Sequence, residues 1–260
     1  MTSVDAGEFR PRREPWWAIA SIFVAGFVAL CLLLASPLLI RAFLYQPFNS
    51  PSGSMKPTLL VGDYFYVSKY AYGYSRFSWP LSWPATLPPS ARIWGATPAR
   101  GDVVAFVVPK DNATVYVKRV VGLPGDRVQM KDGMLSINDI AVARERMEDL
   151  TGESACGGDA RERVKRWRES LPNGGSYETL DCVDHGFLDN TNVFVVPPGR
   201  LFMLGDNRDN STDSRMLSQV GYVPIENVIG RVAMIFFSLA GTDTSRPGRV
   251  RFERIGMRVK

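Results

Sequence analysis

At 260 residues, 45% of them hydrophobic and 22% charged, the chain is long enough for one sizeable core or two small ones. That composition excludes a chain disordered throughout and one built mainly of membrane spans. The formal net charge of +5 is modest, although basic residues crowd 161–168 and 246–260. Such patches suit nucleic acid, anionic lipid head groups or plain solvent.

The first predicted element is a transmembrane anchor over 16–40, which tips the basic patches toward lipid and away from nucleic acid. No charged residue interrupts it. Its length of about 25 residues exceeds the roughly 20 that span a bilayer and the 7–15 of a cleavable signal peptide's apolar region. Trp16 and Trp17 mark one interface and Tyr45 follows the other; Pro37 is expected to kink or end the helix. Arg10, Arg12 and Arg13 precede the span and only Arg41 follows closely. This bias puts a short tail, 1–15, in the cytosol and a domain over 45–260 outside it.

Beyond the anchor, short runs rich in Val, Ile, Phe and Tyr predict strands near 64–68, 103–108, 115–121, 127–130, 192–196, 201–204 and 228–237. Turn signals such as Pro124-Gly125-Asp126, Asp132-Gly133 and Pro197-Pro198-Gly199 separate them. The reading is a mostly β, antiparallel-sheet domain with two insertions. Residues 74–98 carry many prolines with Phe77, Trp79, Trp83 and Trp94, so they cannot be central sheet. Those aromatics either pack under their own loop or dip into the membrane interface. Residues 143–189 read as a polar surface excursion, with a short charged helix over 161–170. Cys31 lies in the anchor, which leaves Cys156 and Cys182 as the one pair open to a disulfide.

The densest chemical signal is Asn49-Ser50-Pro51-Ser52-Gly53-Ser54-Met55-Lys56-Pro57-Thr58-Leu59. Proline restrains the backbone and Gly53 permits a sharp bend, which presents a hydroxyl; a linker after a membrane helix has the same composition. A serine nucleophile needs a base within hydrogen-bond reach. The sole histidine, His185, sits in polar sequence and has the marks of a surface residue. A lysine serves if burial lowers its pKa, and Lys118 fits best, being enclosed by Val115-Tyr116-Val117 and Arg119-Val120-Val121. Lys56 and Lys69 are its rivals. A third constellation, from Leu204 to Arg215, is rich in Asp, Asn and Ser. It is no calcium loop, because Arg208 occupies a ligand position and the required glycine is missing. It reads as a turn that satisfies its own backbone. Nor does 122–125 carry a phosphate-loop ending.

In order, the anchor, Pro51-Ser52-Gly53-Ser54-Met55-Lys56-Pro57-Thr58-Leu59, Gly62-Asp63-Tyr64, Arg100-Gly101-Asp102-Val103-Val104, the run from Tyr116 to Asp126, Gly205-Asp206-Asn207-Arg208-Asp209-Asn210-Ser211 and Asp213-Ser214-Arg215 resemble type I signal peptidase. This is the bacterial leader peptidase family of Ser/Lys enzymes. The resemblance implies a mostly β catalytic domain tethered to the plasma membrane in a single pass, facing the periplasmic side. It implies Ser54 as nucleophile and Lys118 as base. Ser211 would orient the lysine, and Ser52 with the Ser54 N–H would form the oxyanion hole. Asp213, Arg215 and Asp206 would be structural support. Phe48, Ser50, Pro51, Met55, Tyr116 and Val117 would contact the substrate, a precursor bearing a signal peptide with small residues before the cut. No metal or cofactor is implied, and no nucleic acid. One span is present where some members have two, and Ser50 stands where an apolar residue would better suit a pocket wall. The alternatives are a peptidase of conjugative secretion that matures one dedicated substrate, a self-cleaving repressor, and a tethered β-domain that only binds partners.

Overall fold

The computed structural model describes residues 16–81, 84, 86–150, 156, 163–172, 175–241 and 248–259. The chain divides into two units, Met1–Arg41 and Ala42–Lys260. In the first, Trp16–Leu39 forms a helix of 24 residues. At 1.5 Å per residue it is about 36 Å long, more than the ~30 Å hydrocarbon core of a bilayer. Ile22, Phe23, Phe27, Leu33 and Leu34 are all exposed. Such an apolar surface suits lipid and not water. The helix runs through Pro37 instead of stopping there. Proline has no N–H to give the Leu33 carbonyl, and Ser36 Oγ donates to that oxygen instead, at 2.8 Å. A single π-helical turn, Ile40–Leu44, follows. The arginines of the 1–15 tail lie outside the described residues.

The second unit is built on a curled antiparallel sheet. Its strands lie in the order Tyr45–Asn49, Asp63–Ser68, Val228–Ala240, Val103–Val107, Val115–Gly122, Arg200–Leu204 and Val223–Pro224. The inner strands are mostly apolar; Val103–Val107 is buried throughout. One core cluster, around Met55, Leu59, Phe65 and Val67, supports the segment that follows the first strand. Arg200–Leu204 pairs only with the Arg119–Gly122 half of its neighbour. Among the described residues, Val115–Lys118 therefore keeps one open edge, and Tyr45–Asn49 is itself an edge strand. An exposed edge is what an added strand requires.

Two smaller sheets complete the unit. One joins Phe194–Val195, Arg127–Lys131, Met134–Ile137 and Ile140–Ala141, with Asp132 and Gly133 both at positive φ in its hairpin turn. The other joins Ser176–Asp181, Lys165–Ser170 and Ala143–Arg146. This corrects the expectation of a charged helix over 161–170. Residues 161 and 162 lie outside the described residues, and Lys165–Ser170 is a strand. Its charges alternate: Arg166 and Arg168 face Glu178 across the sheet, while Glu169 turns inward and is buried. The 143–189 insertion is likewise more than a surface excursion, since Val164, Leu171, Tyr177 and Leu180 are buried within it. Cys156 and Cys182 form a disulfide, with Cα atoms 5.9 Å apart. In the proline-rich loop, Trp79 packs edge-on against Phe43 and Tyr74, whereas Trp94 is exposed; Trp83 lies outside the described residues.

Candidate active site

The serine segment is a loop tied at its base and clamped at its tip. Ser50 N donates to Asp63 O at 2.8 Å and Gly62 N to Ser50 O at 3.1 Å, which closes the base. Gly62 has φ +87°, and a Cβ there would come 2.2 Å from the Leu239 carbonyl oxygen, so only glycine fits. Asp63, fully buried, accepts bonds from Leu60 N, Ser238 Oγ and Arg254. At the tip, Asn207 N donates to Ser54 O at 3.1 Å and Asn207 Nδ2 to Gly53 O at 3.2 Å. Met55 and Leu59 are buried in the core and anchor the loop from below. The loop is thus fixed before any substrate arrives.

Lys118, 64 residues away in sequence, reaches this loop from the strand Val115–Gly122. Its Nζ donates to Ser54 Oγ at 2.5 Å, and Ser52 Oγ lies 3.2 Å from the same oxygen. Lys118 is 3% exposed. Burial pushes its ammonium down to about 8, against the opposing pull of Asp213 and Asp206. Among the described residues no carboxylate pairs with it directly. The rival lysines are turned to other tasks: Lys69 Nζ donates to Ala42 O at 2.7 Å, and Lys56 is buried beneath Gly53. His185 sits at positive φ in the 183–188 loop, and the side-chain bonds of Ser54 go to Lys118 and Ser52.

The neighbouring residue, Arg119, is 1% exposed and is treated in the opposite way. Its Nε and Nη2 grip Asp206 at 2.8 and 2.7 Å, its Nη1 donates to Gly101 O, and Thr58 Oγ1 adds a 2.5 Å bond to Asp206. Asp213 and Arg215 form a second buried pair at 2.8 Å. Burial pushes Asp213 upward, yet the Arg215 guanidinium prevails and holds its carboxyl below the ordinary range. A third pair, Arg208 with Glu169, ties this turn to the 143–189 insertion at 2.5 Å. Asp206 therefore belongs with Arg119, and Asp213 with Arg215.

These elements enclose a cleft of about 790 Å³ whose lining includes Phe48, Ser50, Pro51, Met55, Tyr116 and Val117 with Ser52, Ser54 and Lys118. Ser211 also lines it. Its Oγ is buried and makes no hydrogen bond, so a bond to Lys118 is absent from this geometry. Ser50 Oγ donates to Ser52 O at 3.2 Å, which withdraws its polarity from the cleft wall. A buried amine with a lowered pKa, touching a serine hydroxyl beside a second hydroxyl, can deprotonate that serine and stabilise an oxyanion. No group of three or more His, Cys, Asp or Glu side chains among the described residues is placed to hold a metal.

Sequence reasoning missed four contributors. Arg119 was visible only as part of a motif, although a guanidinium inside an apolar strand must find a carboxylate. Asn207, Thr58 and Gly205 act through contacts between distant segments. A Cβ on Gly205 would come 2.2 Å from Ser211 Oγ and 2.6 Å from Ser54 O, so glycine there lets the two loops meet.

The family model for signal peptidase, peptidase S26, matches residues 19–237. The chain is 38% identical over 219 residues to signal peptidase I of Rickettsia typhi, covering 82% of this chain and 79% of that one. It is 41% identical over 208 residues to signal peptidase I of Rickettsia conorii, covering 77% and 74%. A crystal structure of a signal peptidase I from Enterococcus faecalis V583 shares 27% identity over 53% of this chain and 97% of its own; the TM-score is 0.31 and carries no weight for the fold. By the family match and these identities, the chain belongs to the signal peptidase S26 family and is a serine endopeptidase of the signal peptidase I type.

Proposed function

We propose that the chain removes N-terminal signal peptides from secreted precursors at the extracytoplasmic face of the plasma membrane, with Ser54 as nucleophile and Lys118 as general base. The observation that carries this is the 2.5 Å contact between Lys118 Nζ and Ser54 Oγ within a substrate-sized cleft. An extended precursor adds as a strand between the edges around Phe48–Ser52 and Val115–Val117, on the sides that no described strand pairs with. Small side chains before the cut fill the shallow space near Phe48, Ser50, Met55 and Val117.

Neutral Lys118 then takes the Ser54 proton, and the alkoxide attacks the scissile carbonyl. Ser52 Oγ and the Ser54 N–H receive the oxyanion, each donor contributing roughly 3–4 kcal/mol. The lysine passes its proton to the leaving amine, and water hydrolyses the acyl-enzyme with Lys118 again as base. Ser211 Oγ, buried in the same wall and without a partner, is the acceptor that would hold the neutral amine toward Ser54. Asp206, Asp213 and Arg215 hold the loop that carries it. The helix Trp16–Leu39 anchors the enzyme, with 1–15 in the cytosol and 45–260 outside.

The test is cleavage, by the full chain in detergent, of a precursor with Ala-x-Ala before the cut. Ser54→Ala and Lys118→Ala should each lose at least about a thousandfold in kcat with the fold retained. The wild-type rate should rise with pH through an apparent pKa near 8, because burial leaves the amine neutral above that value, instead of near the 10.4 of free lysine. Full activity in Lys118→Ala would falsify the dyad. A periplasm-dependent reporter fused after residue 260 checks sidedness, and a silent fusion overturns the topology.

A further inference from the structure

One wall of the cleft takes no part in this chemistry. The same cavity that holds Ser54 and Lys118 is lined by Val183, Phe187 and Leu188, from the loop that ends the 143–189 insertion. Phe187 is 93% exposed and Val183 57%. A phenyl ring gains by burial, and a slack loop would fold it onto the nearest apolar surface.

This loop is held instead. Cys182 N and Val183 N both donate to Asp209 Oδ2, at 2.7 and 3.0 Å, and Gly186 N donates to Asp189 Oδ2 at 2.6 Å. Gly186 lies so close that a Cβ would come 2.5 Å from Asp209 Oδ1. That carboxylate cannot give way while the two amides hold it. The bonds from Leu180 N to Asp206 O and Arg208 N to Leu180 O tie the loop's root to the turn beside Ser54, and the Cys156–Cys182 disulfide fixes that root within the insertion. An apolar rim, held away from its own core and continuous with the cleft, fits a partner that enters the cleft and covers it.

Its position says which part of the precursor that is. The segment before the cut lies along Val115–Val117, and a strand rises about 3.3 Å per residue, so Thr114 is about 13 Å back from Lys118. The 182–189 loop is fastened to Asp209, whose turn contacts Ser54 through Asn207. It therefore meets the cleft beside the dyad. We propose that Phe187 and Val183 form the wall on the leaving-group side and receive an apolar side chain from the first three residues after the cut. This rests on the cleft being a precursor-processing site.

The test uses the full chain in detergent and precursors with Ala-x-Ala before the cut and either Leu or Asp at each of the first three positions after it. For wild type, Leu should give at least fivefold higher kcat/KM than Asp at one of those positions, mainly through KM. Phe187→Ser and Val183→Ser should reduce that preference to under twofold by raising KM for the leucine precursor. Both side chains are exposed, and an unchanged Tm verifies the fold. Phe252→Ser, another exposed aromatic, should keep the wild-type preference. Cleavage with no preference after the cut overturns the wall alone. So does a preference that Phe187→Ser leaves intact, or one that it removes before the cut. If wild type cuts none of these precursors, the processing role itself falls and the wall with it.

Discussion

Lys118 and Arg119 are consecutive residues of one strand, both cations, both almost fully buried, and they face opposite sides of the sheet. Arg119 meets a two-pronged carboxylate at 2.7 and 2.8 Å, and that partner outweighs burial and raises its pKa further. Lys118 meets a serine hydroxyl and the ring of Tyr116, 5.6 Å away, while the carboxylates of Asp213 and Asp206 act only from a distance. Burial therefore prevails and its amine is poised to lose a proton. The same desolvation cost is compensated on one face, where Arg119 joins two segments, and left uncompensated on the other, where the proposed base stands. A planar, permanently charged guanidinium suits the first task, and a titratable ammonium the second.

The largest effect expected from breaking this contrast comes from Asp206→Ala, which leaves the buried Arg119 without its carboxylate. It should cost about 3–5 kcal/mol of stability, read as a lower denaturant midpoint in detergent. A loss under about 1 kcal/mol would mean that Arg119 finds water or another acceptor and that the two faces differ less than the distances imply.

Removing the uncompensated cation should do the reverse. In Lys118→Met the apolar stem remains and the charge goes. Between about 8 and the ordinary 10.5 the unfolded chain binds a proton that the native chain does not. Wild-type stability should therefore rise with pH across that window. Below pH 8 the buried lysine costs about 3 kcal/mol, and above 10.5 nothing. Lys118→Met should accordingly be more stable than wild type at pH 7, by up to about that amount, with the gain fading toward pH 10.5 while catalysis is lost throughout. A variant less stable than wild type at pH 7 would show that Lys118 is paired after all.

Much of this was legible in the chain. The long apolar helix announced itself through an uncharged run, and the sheet through β-branched runs between turn signals, because both rest on local patterns. The apolar flanks of Lys118 mark it as a candidate base beside Lys56 and Lys69, and only the family resemblance sets it apart from them. What was not legible depended on distant segments. Lys165–Ser170 looks helical by charge content, yet its strand is imposed by Glu178 and by the burial of Glu169 against Arg208. The partner of Arg119 lies 87 residues away, and no periodicity points to it. The clamp of Asn207 on Gly53 and Ser54 is invisible for the same reason.

The smallest change sharpens the comparison most. Thr58 Oγ1 donates to Asp206 Oδ2 and lies 3.3 Å from Arg119 Nη2, while its residue follows Ser54 by four positions. Thr58→Val keeps the β-branched shape and deletes the bond to Asp206 and the longer one that Thr58 Oγ1 accepts from Arg119 Nη2, while both contacts of Arg119 with the carboxylate remain. The expected loss is about 1.5 kcal/mol in the urea midpoint with an unchanged m-value. If the two faces of the strand are separate in function, the pH–rate profile of this variant should keep its rise near 8, since nothing around Lys118 Nζ has changed. A rise displaced toward 10 would mean that the compensated face sets the pKa of the base through the serine loop, and the two cations would then have to be treated as one coupled unit.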